Sequence, residues 1–186
     1  VMLFTCLQIA KDRGSAFLMR LYASPMAASE FIGGYILPLL VIAVLQSLIT
    51  YAASVVIGLF TGFSFQIGGL LLAMAVLVPA DLLFIGFGLL FGTVFNEKAA
   101  PGLCSVIISL SVILGGIWMD VGALSGGLKR ICEMLPFYHI VEAARGAVRG
   151  DLGGMAGHMI IVAGYTVVVF MFAIVMFANK RQQDLR

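Results

Sequence analysis

Thirty consecutive residues, Phe31 to Phe60, carry no charged side chain, and this run constrains the fold more than any other feature of the chain. As a helix rising about 1.5 Å per residue it would reach about 45 Å, against a bilayer hydrocarbon core of about 30 Å. Three further apolar runs follow: Ile67 to Phe95, broken only by Pro79 and Asp81, then Ala99 to Trp118, then Met159 to Ala178. In lipid every backbone N–H and C=O must find a partner, and a helix supplies them from within the segment. With 62% hydrophobic and 11% charged residues among 186, there is too little polar surface to cover a soluble core. The expected fold is an all-α polytopic membrane protein with about five transmembrane helices, the first of them partial.

The punctuation sets the organisation. Val1 to Ala10 is an apolar stretch of half a span that ends at Lys11, Asp12 and Arg13. A signal peptide would carry its positive charges before the apolar run, so the chain is expected to begin inside a transmembrane helix. A polar segment occupies 11–30, and spans are expected at 31–60, 67–95 and 99–118. Pro38, with Gly33 and Gly34, marks a bend that leaves Leu39 to Phe60 as the crossing part. Thr61 to Gln66 and the Asn96, Glu97, Lys98 loop reverse the chain. A mixed segment covers 119–158, the last span 159–178, and a tail 179–186.

Lysine and arginine set the orientation. Lys11, Arg13, Arg20, Lys98, Lys180, Arg181 and Arg186 fall on one side, against Lys129, Arg130, Arg145 and Arg149 on the other. The larger set belongs in the cytoplasm together with the C-terminus, and the 119–158 segment then faces outward. Within it, Leu128, Ile131, Cys132 and Leu135 recur at helical spacing and Pro136 ends the pattern. A second stretch has Ile140, Val141, Ala144 and Val148 as its apolar side, with Glu142 and Arg145 as an i,i+3 pair. Two short helices are predicted, either dipping into the outer leaflet or forming a surface hairpin.

Several function classes drop out. A net charge of +2, dispersed through loops, does not suit nucleic acid. Cys6, Cys104 and Cys132 have neither disulfide nor metal-ligand spacing, and no metal is assigned to His139 or His158. No phosphate-binding loop of the G-x-x-x-x-G-K-[ST] type occurs, so the chain is not expected to be an enzyme, to hydrolyse a nucleotide or to bind a cofactor of its own.

The remaining candidates are polar groups in apolar settings. Asp81 sits about 20 Å from either end of its span, where a carboxylate costs about 2.5–3.5 kcal/mol. It is either a substrate or proton contact or a protonated acid bonded to a neighbouring span. Gln46, Ser47, Thr50, Tyr51 and Ser54 form a stripe that either lines a substrate path or joins helices by hydrogen bonds. Gly58 to Gly62 and Gly88 to Gly92 fit close helix approach. Tyr138 and His139 sit where interfacial anchors belong.

The segment Arg13-Gly-Ser-Ala-Phe-Leu-Met-Arg20-Leu-Tyr-Ala-Ser24-Pro25-Met-Ala-Ala-Ser-Glu30-Phe31, with Gly34 and Leu37-Pro38, resembles the cytoplasmic signature of the type 2 family of ABC exporter permeases. Gly115-Gly-Ile-Trp118, Leu135-Pro136-Phe137-Tyr138-His139, Glu142-Ala-Ala-Arg145 and Gly150 resemble the family's outward segment. Met19, Ala27, Asp120, Ser125 and Gly127 depart from its pattern. A permease half of that family has six spans, so this chain would lack the first and part of the second.

The resemblance implies a cytoplasmic coupling helix over Phe17 to Tyr22, with Arg13, Phe17, Arg20, Ser24, Pro25 and Glu30 as coupling residues. It further implies docking on separate ABC ATPase subunits that use ATP and Mg, a second permease half, and a place in the cytoplasmic membrane of a prokaryote. Pro136, Tyr138, His139, Glu142 and Arg145 would shape the exit, and Asp81, Gln46, Thr50 and Ser54 the path. An alternative is a proton-coupled secondary exporter using Asp81. A third class is a membrane-bound enzyme or assembly factor using Glu142, Arg145 and His139 at the outer surface.

Overall fold

A computed structural model of the chain describes residues 1–13, 28–62 and 67–184, and these are helical with no strand among them. They form α1 (Met2–Arg13), α2 (Ala28–Thr61), α3 (Ile67–Val94), α4 (Ala100–Leu114), a 3-10 turn (Val121–Ala123), α5 (Gly127–Met134), α6 (Pro136–Arg149) and α7 (Leu152–Asp184). Ile32–Thr61, Gly68–Val94 and Leu152–Lys180 are each long and apolar enough to cross a bilayer. The protein is an all-α polytopic membrane protein. The expected coupling residues Phe17, Arg20, Ser24 and Pro25 lie outside the described residues.

Two elements differ in length from the hydropathy reading. The apolar run Ala99 to Trp118 is helical only from Ala100 to Leu114, about 22 Å at 1.5 Å per residue. The chain turns at Gly116, whose φ of 75° is open to glycine at little cost. α7 begins well before the run Met159 to Ala178, because Asp151 accepts a hydrogen bond from the Gly154 amide (3.1 Å) and caps its first turn. His158 therefore belongs to α7.

The chain divides into two compact units, and the division falls inside α2, α3, α4 and α7. In α2 and α3 it comes just after Pro38 and Pro79, where a backbone donor is missing. The first unit contains Val1–Val41, Asp81–Ile108 and Thr166–Arg186. Its core joins Ile9, Ile32, Leu39, Ile85, Leu89, Ala173 and Phe177, beside a second cluster of Met2, Cys6, Ala10, Ala100 and Cys104. Here α1 lies directly on α3. A Cβ added at Gly88 would stand 2.6 Å from the Met2 carbonyl oxygen, and one at Gly92 would stand 2.6 Å from that of Cys6. The spacing of Gly88 and Gly92 thus marks a real close approach.

The second unit contains Ile42–Ala80 and Ser109–Tyr165. Its core is built from small residues: Ala73 and Val76 of α3 meet Ala143 and Ala147 of α6, with Tyr51, Leu72, Met155 and Met159 around them. Both short helices form as the periodicity predicts. Pro136 occupies the first position of α6, where its missing N–H costs no hydrogen bond. Gly150 closes α6 in the left-handed conformation, donating its N–H to the carbonyls of Ala147 and Gly146.

Candidate functional site

In the first unit, the residues flanking the polar segment tie three helices together. Arg13 ends α1, and α3 ends at Val94, so the last carbonyls of α3 have no partner within their own helix. The Arg13 guanidinium supplies one, donating through Nη1 to the carbonyl oxygens of Gly92 (3.4 Å) and Thr93. A cation at that helix end also meets the negative pole of the α3 dipole. Thr93 is buried and donates its hydroxyl to the Leu89 carbonyl at 2.7 Å.

One residue earlier, Asp12 Oδ2 accepts from the Tyr35 hydroxyl of α2 at 2.5 Å and from Gln8 Nε2 at 3.0 Å. The end of α1 is thereby bonded to α3 through Arg13 and to α2 through Asp12. Arg13 was legible as a candidate; Asp12 and Tyr35 were not, because 23 residues separate them and nothing local pairs them. Glu30 lies in the first turn of α2 and is exposed, where its negative charge suits the helix N-terminus.

The polar stripe of α2 turns its Thr50 and Ser54 hydroxyls onto its own backbone. Thr50 donates to the Gln46 carbonyl and Ser54 to the Thr50 carbonyl, each at 2.9 Å, so these hydroxyls are satisfied by their own helix. Gln46 and Thr50 are exposed, Ser54 half-buried, and only Tyr51 packs into the core of the second unit. Asp81 is half-buried on α3 and accepts no hydrogen bond among the described residues.

In the second unit, α5, α6 and α7 bring together side chains far apart in sequence. His139 is buried, and its Nε2 faces the Glu133 carbonyl oxygen at 2.9 Å. A carbonyl only accepts, so in the neutral ring Nε2 carries the proton and Nδ1 is an acceptor. His158 Nδ1, 2.7 Å away, is then the donor. Tyr138 sets its ring edge-on to both imidazoles, and Tyr165 of α7 donates its hydroxyl to the Met134 carbonyl at 2.6 Å.

Burial lowers the pKa of His139, and the neighbouring His158 adds to this, while the bond to the Glu133 carbonyl opposes it. Burial raises the pKa of the Tyr138 phenol, helped by the negative charges of Glu142 and Glu133. The pairing of His139 with His158 was not foreseen, since each reads singly as an interfacial residue.

Glu142 and Arg145 form the expected pair, with Arg145 Nη1 2.7 Å from Glu142 Oε1. The Arg145 Nη2 donates to the Gly116 carbonyl at 2.8 Å, holding the turn after α4 against α6. Alongside runs an apolar groove of about 550 Å³, lined by Leu77, Ile117, Ile140, Val141, Ala144 and Val148, with Arg145 and Arg149 at its edge. No group of three or more His, Cys, Asp or Glu side chains suited to a metal occurs among the described residues.

The sequence profile of the family described as ABC-2 family transporter protein matches residues 1–175. No curated protein and no solved structure matches the chain.

Proposed function

Because the chain belongs to the ABC-2 family of transporter proteins, we propose that it is the permease subunit of an ATP-driven exporter, moved by separate ATPase subunits and paired with a second permease half. The observation that carries this reading is the family match over 175 residues, which includes the polar segment between α1 and α2. In the proposed arrangement that segment and the C-terminus are cytoplasmic, the ATPase docks around Phe17 to Tyr22, and ATP with Mg is bound by the partner.

The bonding at the end of α1 supports this role for the segment. A displacement of residues 14–27 reaches α3 through Arg13 and its two carbonyl partners, and α2 through Asp12 and Tyr35. A lever needs stiff attachments, and charge-assisted hydrogen bonds onto helix ends supply them. The turn at Gly116 with α5 and α6 would form the outward exit, and α2 would border the path through Gln46, Thr50 and Ser54.

The test is reconstitution of the full-length protein in vesicles with and without a co-purifying ATPase subunit. Uphill transport is expected only with the ATPase and ATP present. Arg20→Ala is expected to leave ATP hydrolysis running while transport stops. Uphill transport by the permease alone, driven by a proton gradient, would refute the proposal.

A further inference from the structure

The groove along α6 has the size and lining of a binding site. Its volume of about 550 Å³ falls within the range typical of small-molecule pockets, about 300–1,000 Å³. Val141, Ala144 and Val148 share one face of α6, and Leu77 and Ile117 complete the lining, so the walls offer an occupant almost no hydrogen-bond partner.

The charges sit at one edge, and they are unequal. The Arg145 guanidinium is already engaged by Glu142 and by the Gly116 carbonyl. Arg149, in the last turn of α6, is exposed and makes no hydrogen bond or ion pair among the described residues. The acid nearest to it in sequence, Asp151, is occupied with the Gly154 amide. Among the described residues, then, Arg149 is an uncommitted cation at the edge of an apolar slot, and Trp118, next in sequence to the lining residue Ile117, is 82% exposed. An exposed tryptophan and an arginine bordering apolar surface are what a bilayer interface accommodates.

We propose that this groove holds one acyl chain of an anionic phospholipid, with the lipid phosphate on Arg149. The apolar lining takes the chain, and the phosphate satisfies the guanidinium that no group among the described residues engages. The site does not depend on an ATPase partner, so its test is independent of the transport reading.

Trp118 is the only tryptophan in the chain and adjoins the lining residue Ile117, so it reports on the groove directly. The full-length protein in phosphatidylcholine vesicles is titrated with phosphatidylglycerol or phosphatidylcholine carrying brominated acyl chains, and quenching of Trp118 is measured. Half-quenching is expected at about a fivefold lower mole fraction of the anionic lipid, the ratio one interfacial basic residue confers. Arg149→Gln should remove that preference and Arg149→Lys should retain it. Val141→Phe, which fills the slot, should weaken quenching by both lipids.

Equal quenching by the two lipids in the unsubstituted protein overturns the proposal. So does quenching indifferent to Val141→Phe. Quenching that appears only as the protein is diluted in lipid also overturns it, because a second copy of the chain would then be the occupant.

Discussion

Replacing both Gly88 and Gly92 by alanine should push α1 off α3, and the structure sets the size of the effect. The new methyl at Gly88 would lie 2.6 Å from the Met2 carbonyl oxygen and 2.6 Å from Thr5 Cβ; at Gly92 it would lie 2.6 Å from the Cys6 carbonyl oxygen and 2.8 Å from Ile9 Cβ. Carbon atoms rest about 3.5–4.0 Å apart, so α1 must withdraw by about 1 Å. Two of these atoms are backbone oxygens and two are Cβ atoms, whose positions the backbone fixes, so none can rotate away. Overpacking of this kind costs about 1–3 kcal/mol per site. Against it stands the better helix propensity of alanine, about 1 kcal/mol over glycine.

Gly102 and Gly164 supply the control, since a Cβ at either meets nothing within 4 Å. Gly102→Ala with Gly164→Ala gains the propensity without the clash. The two double variants should therefore differ by about 2–6 kcal/mol. At about 2–4 °C per kcal/mol for a chain of this size, the thermal midpoints in one detergent should be at least about 4 °C apart. The withdrawal would also carry Arg13 away from Thr93, so the glycine pair variant should lose transport per ATP hydrolysed. If both double variants shift the midpoint equally, the contact between α1 and α3 does not have the closeness described and the reasoning fails.

Other consequences can be checked with the same preparations. Tyr35→Phe removes the donor to Asp12 and should cost about 1.5 kcal/mol or more, the worth of a hydrogen bond to a charged group, read as a lower thermal midpoint together with weaker coupling of ATP use to transport. Asp81→Asn removes a carboxylate that accepts no hydrogen bond among the described residues; it should raise the midpoint and leave ATP-driven transport and its pH dependence intact, and a transport loss would favour the proton-coupled alternative. For His139, whose surroundings are His158, Tyr138 and the carbonyl of Glu133, burial holds the pKa below its ordinary 6.5. The unfolded chain then takes up the proton first, so stability is full above pH 6.5, declines as the pH falls below it, and levels off only below the folded value. A midpoint that does not fall between pH 7.5 and 5, or falls equally in His139→Gln, would show that His139 is not responsible.

Much of the architecture was legible because membrane insertion is decided by local composition. A charge-free run must become a helix in lipid whatever surrounds it, so α2, α3 and α7 follow from hydropathy. The i,i+3 and i,i+4 spacings likewise announce α5, α6 and the Glu142–Arg145 pair, since those partners lie on the same turn of one helix. Gly88 and Gly92 were readable as a pattern, and Gly116 could be read only as part of the family's outward motif, without its role as the stop of α4.

Tertiary structure decided which polar groups meet. Asp12 finds Tyr35 across 23 residues, Arg13 finds Thr93 across 80, and His139 finds His158 across 19. It also left Arg149 without a hydrogen bond or ion pair among the described residues, at the edge of an apolar slot. The physical reason is that hydrophobic transfer is summed residue by residue along the chain, whereas a hydrogen bond depends on direction and on a separation of about 3 Å, which only the packed helices determine.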